Sequence, residues 1–312
     1  MANFIFGSGI VGLVAKEVLA GPWQIVPFRR SRFYSFSTPL ADNCIIRDKD
    51  LDPLIEALGG RLAPMFYRRA YSIQGQLVGT HDPALCTLWL QKIFGTQVPA
   101  QAPAYWANRL TSPIYNVHIN KLYEQLQNKH LATLKEEAAK GEVTAIGDHQ
   151  FIRGGATVDF DNIISTIPLS KLLKLLNQPG SLEAPLPAQP LHYIHLESRT
   201  INLEGYNQAL VVDDVLDFFK VTCLAPRRYL FYSTRDIPNP GAYLLPIIGV
   251  AEIIDGTAIA DALPMGNMPD LSHLEERGIF CVGALAQHDW CADIGSNLLR
   301  LTRYAQRSYK PS

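Results

Sequence analysis

Short apolar runs alternate along the chain with amphipathic stretches, the pattern of an α/β protein. Asn3-Phe4-Ile5-Phe6 predicts a strand, the glycine-rich stretch after it a tight turn, and Leu13 to Leu19 an amphipathic helix. Trp23 to Phe28 predicts a second strand that runs into Arg29-Arg30-Ser31-Arg32. Asp50 to Gly59 reads as a capped helix ending at glycine. Phe66 to Ile73 and Gln76 to Val78 predict a hairpin that turns at Gln74-Gly75. Helices are expected over Ala84 to Phe94 and Asn120 to Lys129, with a loop or lid at Gln97 to Pro103. Leu131-Ala132-Thr133-Leu134 predicts a short strand, and Val143 to Ile146 should pair with Gln150 to Ile152. Ala156 to Asp161 leads into Asn162 to Pro168, a nearly continuous apolar run that suits a strand buried on both faces of a parallel sheet. Beyond the proline-rich stretch Pro179 to Pro190, alternation near His192–Leu196, Ala209–Val212, Phe218–Leu224 and Tyr229–Tyr232 predicts a mainly antiparallel sheet. Gly278 to Ala284 then predicts a last strand and turn, with a helix from about Asp293 to Arg307.

The turn after the first strand reads Gly7-Ser8-Gly9-Ile10-Val11-Gly12, a Gly-x-Gly-x-x-Gly pattern with a strand before it and a helix after it. In that context Gly7 serves the tight turn, Gly9 the approach of a pyrophosphate and Gly12 close packing of helix on strand. The helix N-terminus adds N–H donors and partial positive charge. An ordinary strand-turn-helix with small residues is the plainer alternative. The acid that should follow about twenty residues on, for the adenosine ribose, is missing. Phe28, Arg29 and Arg30 stand there instead. Arginine at this place suits a 2′-phosphate, as in NADP, and equally an adenine, the pyrophosphate, an anionic substrate or a solvated turn.

Composition narrows the class. The 312 residues are 47% hydrophobic and 18% charged, which fits a large folded core in one or two domains. A net charge of −1 gives no basic field for nucleic acid. No apolar run is long enough for a membrane span, and no secretory leader is read, so a cytoplasmic protein is expected. The five cysteines form no C-x-x-C pair, which fits reduced thiols. His192 and His195, three apart on a predicted strand, face opposite sides and cannot share a metal, and no metal site is expected. No hydrolase or ATPase motif occurs.

Four stretches together resemble the flavin-dependent amine oxidase superfamily, and within it the UDP-galactopyranose mutases. They are Gly7 to Leu13, Tyr67 to Val78, Phe160 to Leu169, and Val282 to Ala286 with Asp293 to Asn297. The resemblance implies a Rossmann-like FAD/NAD(P)-binding domain (1–60 with 120–180 and 270–312) and a mainly antiparallel substrate domain (61–119 with 181–269). It implies FAD as cofactor, NADP being the lesser candidate. Contacts are implied at the glycine turn, at Phe28, Arg29, Arg30, Val143 and Thr166, and at Gly283, Ala284, Asp293, Ile294 and Asn297 beside the reactive ring. Val211 to Thr222 is similar to a mutase segment that ends in a substrate-side arginine, here Lys220. With Arg228 and Tyr232 it forms the candidate substrate set, although charged groups on strand edges are the plainer reading.

The chain also departs from the family. Gly283-Ala284 stands where the family has Gly-Arg, and Thr111 to His118 has no glycine where a glycine-rich segment is expected. The expected function is an FAD-dependent oxidoreductase acting on a small or medium organic substrate. The alternatives are a flavin-dependent nucleotide-sugar mutase, or a nucleotide- or partner-binding protein without redox activity. No residue is assigned to proton transfer.

Overall fold

The computed structural model describes residues 2–19, 21–28, 44–46, 62–64, 68–79, 82–111, 114–117, 119–177, 186–289, 291 and 294–307. In chain order these form β1 (Asn3–Phe6), α1 (Ile10–Val18), β2 (Trp23–Val26), β3 (Cys44–Ile46), β4 (Leu62–Pro64), β5 (Arg69–Ile73) and β6 (Gln76–Gly79). There follow α2 (Pro83–Phe94), α3 (Ala102–Thr111), β7 (Ile114–Val117), α4 (Ile119–Lys129) and α5 (Leu131–Ala139). Next come β8 (Val143–Ile146), β9 (Gln150–Arg153), β10 (Ala156–Asp159), β11 (Asn162–Ser165) and α6 (Leu169–Leu175). The second half holds β12 (Ala188–Ser198), β13 (Gln208–Val211), β14 (Phe218–Ala225), β15 (Arg228–Ser233), α7 (Pro240–Ile248) and β16 (Ala251–Pro264). It closes with α8 (Ser272–Glu275), β17 (Ile279–Cys281), α9 (Ala284–Gln287) and α10 (Ile294–Arg307).

One sheet, in the order β17-β11-β1-β2, is parallel throughout, so the carboxyl ends of all four strands share one edge. Its strands are buried on both faces, which is why they read as continuous apolar runs. Phe4, Phe6 and Ile163 face a layer made by α6 and the antiparallel sheet β10-β9-β8. Ile5, Ile25 and Ile164 face the other way, onto Leu13 and Val14 of α1, Leu122 and Leu126 of α4 and Leu301 of α10.

The larger sheet has seven strands in the order β16-β12-β15-β14-β13-β5-β6. All its pairings are antiparallel except β13 with β5. It is built from two excursions out of the parallel sheet, 69–79 and 188–264. The second leaves and returns side by side, for β12 pairs with β16 and Met265 N–H donates to the Pro187 carbonyl at 2.9 Å. One face packs on α2 and α3 through Tyr71, Trp89, Trp106, Leu210 and Tyr232; the other carries Ile194, Leu196, Val211 and Phe231. A further small sheet, β3-β7-β4, is antiparallel.

Several expectations change. Leu131 to Leu134 is the first turn of α5, not a strand. The run Leu-Ala-Thr-Leu-Lys-Glu-Glu-Ala-Ala is rich in strong helix formers, and these outweigh the single threonine. Ala156 to Pro168 divides between two sheets: β10 joins the antiparallel layer, and β11 the parallel sheet. Helix α3 begins at Ala102, inside the expected loop. The hairpin turns at Gln74 and Gly75 as expected, with φ of 48° and 77°. His192 lies in phase with Ile194 and away from His195, so the two histidines do face opposite sides. The helix expected over Asp50 to Gly59 lies outside the described residues.

Candidate functional site

The glycine turn sits at the carboxyl edge of the parallel sheet, where β1 hands the chain to α1. Two of its glycines are required by the protein itself. Gly7 has a φ of 109°, and a Cβ there would run into the Thr166 hydroxyl. A Cβ on Gly12 would lie inside the Gly7 carbonyl. Thr166 braces this corner, donating both its backbone N–H (2.8 Å) and its Oγ1 (2.9 Å) to the Phe6 carbonyl. Tyr123 of α4 donates its hydroxyl to the Ser8 carbonyl at 3.3 Å.

Gly9 is different. Its φ of −71° and ψ of 178° are open to any residue. It occupies the N-cap of α1, no side chain caps the helix there, and the first turn carries no acid. The leading N–H groups of α1 therefore meet the carboxyl edge with the positive end of the helix dipole and no competing carboxylate in that turn. On the other face of the same edge, in phase with Ile163, Ser165 closes β11 fully buried with an Oγ that has no hydrogen-bond partner in the protein. This corner fits a phosphate-bearing ligand.

At the end of β2, Phe28 packs on Phe6 with ring centroids 5.3 Å apart, and the Lys171 ammonium lies 4.8 Å from the Phe28 ring centre. Arg29 and Arg30 lie outside the described residues. Val143 is buried on β8 within the core of that layer.

The Gly283 turn follows β17 and shares the carboxyl edge with the glycine turn, two strands away across β11, about 10 Å. Its φ of 119° and ψ of 149° suit glycine almost alone. Gly283 N–H donates to Asn297 Oδ1 at 2.9 Å, and Gln287 Nε2 donates to the same oxygen at 2.8 Å. Arg300 carries the network on, to Gln287 Oε1 at 2.7 Å and to Glu275 at 2.9 Å. Asn297 thus ties the turn to α10. Ala284 opens α9, Ile294 opens α10, and Asp293 lies outside the described residues.

The three candidate substrate residues lie on the helix-covered face of the seven-stranded sheet. Lys220 and Tyr232 are register partners, and the Lys220 ammonium sits 3.8 Å from the Tyr232 ring centre. Burial pushes the Lys220 amine down to about 7. Arg228 is in phase with Tyr232 but exposed, four residues along β15. Alongside it is His195, buried and without a hydrogen bond to either ring nitrogen, its Nδ1 3.8 Å from Asp255. Burial lowers its pKa, Asp255 works against that, and Arg228 adds to it.

One row across this face escaped the sequence reading. Arg69, Gln208 and Thr222 are register neighbours on β5, β13 and β14, all at least nine-tenths buried. Arg69 Nε donates to Gln208 Oε1 at 2.9 Å, and Gln208 Nε2 donates to Thr222 Oγ1 at 3.0 Å. The signal available was phase: Arg69 is two residues from Tyr71, hence on the same face.

Among the described residues no group of three metal-ligating side chains comes together, and no helix is long and apolar enough to cross a membrane. No protein-family model matches the chain, and no curated protein matches its sequence. Solved structures do. A reduced UDP-galactopyranose mutase matches at a TM-score of 0.67 and 11% identity, over 98% of this chain and 93% of that one. An oxidoreductase from Methanosarcina mazei matches at 0.62 and 12%, over 97% and 100%. A CLA-producing fatty acid isomerase from P. acnes matches at 0.62 and 12%, over 98% of both. The chain shares its overall fold with these solved structures, the UDP-galactopyranose mutase among them.

Proposed function

We propose that the chain is an FAD-dependent oxidoreductase acting on a small or medium organic substrate. The observation that carries this is Gly9. Packing accounts for Gly7 and Gly12, and Gly9 lies buried at an uncapped helix N-terminus with dihedrals open to any residue. A diphosphate approaching the chain there gives the glycine its reason. In this reading FAD lies along the carboxyl edge, its pyrophosphate at α1 and its ring beside Gly283 and α10. The bound flavin supplies the hydride acceptor. The chain's own part is to hold the diphosphate, to stabilise negative charge near the start of α10, and to present the substrate from the seven-stranded sheet.

A visible absorbance spectrum of the purified protein, and of Gly9→Ala, tests the reading. The flavin bands are expected in the first. In the variant at least tenfold weaker FAD binding is expected, a loss far larger than any in thermal stability of the apoprotein. FAD binding equally tight in both, or absent from both, would overturn it.

A second reading, a flavin-dependent nucleotide-sugar mutase, draws on Lys220 beside Tyr232 within the mutase-like segment. A mutase works on reduced flavin with no net consumption of reductant. Stoichiometric reductant use during turnover would therefore exclude it.

A further inference from the structure

We propose that Arg300 is the positioning residue of the ring-side half of the cofactor site: its guanidinium clamps the two ends of β17 and so fixes the Gly283 turn at the carboxyl edge. The inference rests on the flavoprotein reading above and adds to it a side chain that acts through the turn.

Strand β17 is three residues long and stands at the rim of the parallel sheet, where β11 pairs with it from one side. So short an edge strand needs support from outside the sheet. That support comes from α10. Asn297, Arg300 and Tyr304 are spaced three and four residues apart, hence on one face of the helix. Asn297 takes the Gly283 N–H. Arg300 makes a directed bond from each of its nitrogens: Nη1 to Gln287 Oε1 at 2.7 Å, Nη2 to Glu275 Oε1 at 2.9 Å and Nε to the Tyr304 hydroxyl at 2.9 Å. Tyr304 donates in turn to Glu275 Oε1 at 2.8 Å, and its ring packs on Phe280 of β17 with centroids 4.6 Å apart. Burial and the Glu275 bond push the Tyr304 phenol up to about 12, so it keeps the proton it donates.

Glu275 ends α8, just before β17, and Gln287 ends α9, just after it. One guanidinium therefore bridges both approaches to the strand. The planar fork holds three directions at fixed angles, which the single ammonium of lysine does not. The Arg300 side chain is 27% exposed and paired with Glu275, so solvent and the carboxylate both damp its field. Its contribution is geometry. The α1 N-terminus lies two strands away, so a loosened Gly283 turn leaves the diphosphate half of the edge in place.

Titration of the purified protein, Arg300→Met and Arg300→Lys with FAD and with ADP tests this, since ADP carries the diphosphate without the ring. Hydrogen exchange across 279–287 reads the turn itself and needs no flavin. In Arg300→Met, FAD binding should weaken at least tenfold and ADP binding less than twofold, with exchange across 279–287 at least tenfold faster. The visible bands of the FAD that remains bound should shift. Arg300→Lys keeps the charge without the fork and should follow Arg300→Met. Tyr304→Phe removes only the hydroxyl link, should weaken FAD binding severalfold with ADP unaffected, and serves if Arg300→Met does not fold. FAD and ADP weakened alike, FAD binding or exchange unchanged in folded variants, or Arg300→Lys equal to wild type would each overturn the proposal. Wild type that binds FAD but not ADP would overturn it too, because the two halves would then not act separately. Wild type that binds no FAD, with exchange still faster in the variants, would overturn the flavoprotein reading and leave the clamp standing.

Discussion

In the proposed reading, the groups that meet a ligand at the carboxyl edge of the parallel sheet are backbone: the N–H groups of α1, the Gly9 turn and the Gly283 turn. On the covered face of the seven-stranded sheet the polar groups are side chains: Arg69, Gln208, Thr222, Lys220, Tyr232 and His195. The contrast follows from geometry. Parallel strands end together and each delivers a loop to one place, so glycines decide how closely a ligand approaches. An antiparallel sheet offers a face, and each strand places every second side chain on it. The first kind of site is fixed by sterics and tolerates little. The second is fixed by charge and orientation and can be altered residue by residue.

The largest expected effect lies at the edge. Gly12→Ala puts a methyl group against the Gly7 carbonyl, a backbone atom with no flexible end to swing aside. Helix α1 would have to lift off β1, at a cost of about 3 kcal/mol, the upper range for overpacking. Gly9→Ala, three residues away at a buried position whose dihedrals any residue can adopt, should cost clearly less. Denaturant unfolding of the two apoproteins compares them directly. Similar losses would mean that both glycines serve packing and that the edge has no place set aside for a ligand.

Asn297 gives the next effect. Its Oδ1 accepts from both Gly283 N–H and Gln287 Nε2, and the residue is 3% exposed. Asn297→Leu would strand the Gly283 N–H and leave Gln287 Nε2 only its longer 3.4 Å bond to the Gly283 carbonyl, at about 1–3 kcal/mol. If the turn belongs to the flavin site, FAD affinity should fall along with the unfolding free energy. Lost stability with intact FAD binding would assign the Gly283 turn to architecture and leave the glycine turn to hold the cofactor unaided.

These two regions were not equally legible in the sequence. The edge was readable because a turn of three spaced glycines between a strand and a helix is a local pattern, and Gly7 and Gly12 fall where it requires them. The four strand segments around His192, Ala209, Phe218 and Tyr229 were readable from alternation. Strand β16 was not. Ala251 to Pro264 is rich in alanine and aspartate with Gly256 in its middle, and only pairing along β12 makes it extended. Helix α7 was not anticipated either, for Pro240-Gly241 and Pro246 interrupt any helical pattern although Asn239 caps it. The row Arg69–Gln208–Thr222 joins residues 139 and 14 apart in sequence, and no local pattern announces such a meeting.

The smallest effect concerns His195 and separates charge from shape on the sheet face. Burial holds its pKa below the ordinary value, helped by Arg228 and opposed by Asp255. The folded chain therefore takes up this proton at lower pH than the unfolded chain does. As pH falls through about 6.5 the unfolded state is protonated first, and stability present above that point is lost toward the folded pKa. His288 is also lowered by burial and contributes a separate acid limb, so the comparison must be made at His195 alone. His195→Leu removes the titration and places an apolar side chain beside Leu230, its register partner. The unfolding free energy of wild type relative to this variant should fall by less than about 1 kcal/mol from about pH 7 to about pH 5. A difference that stays flat would mean that Asp255 fully offsets burial in the folded protein. The sheet face would then carry, beside Arg69 and Lys220, a third group able to hold positive charge near neutral pH.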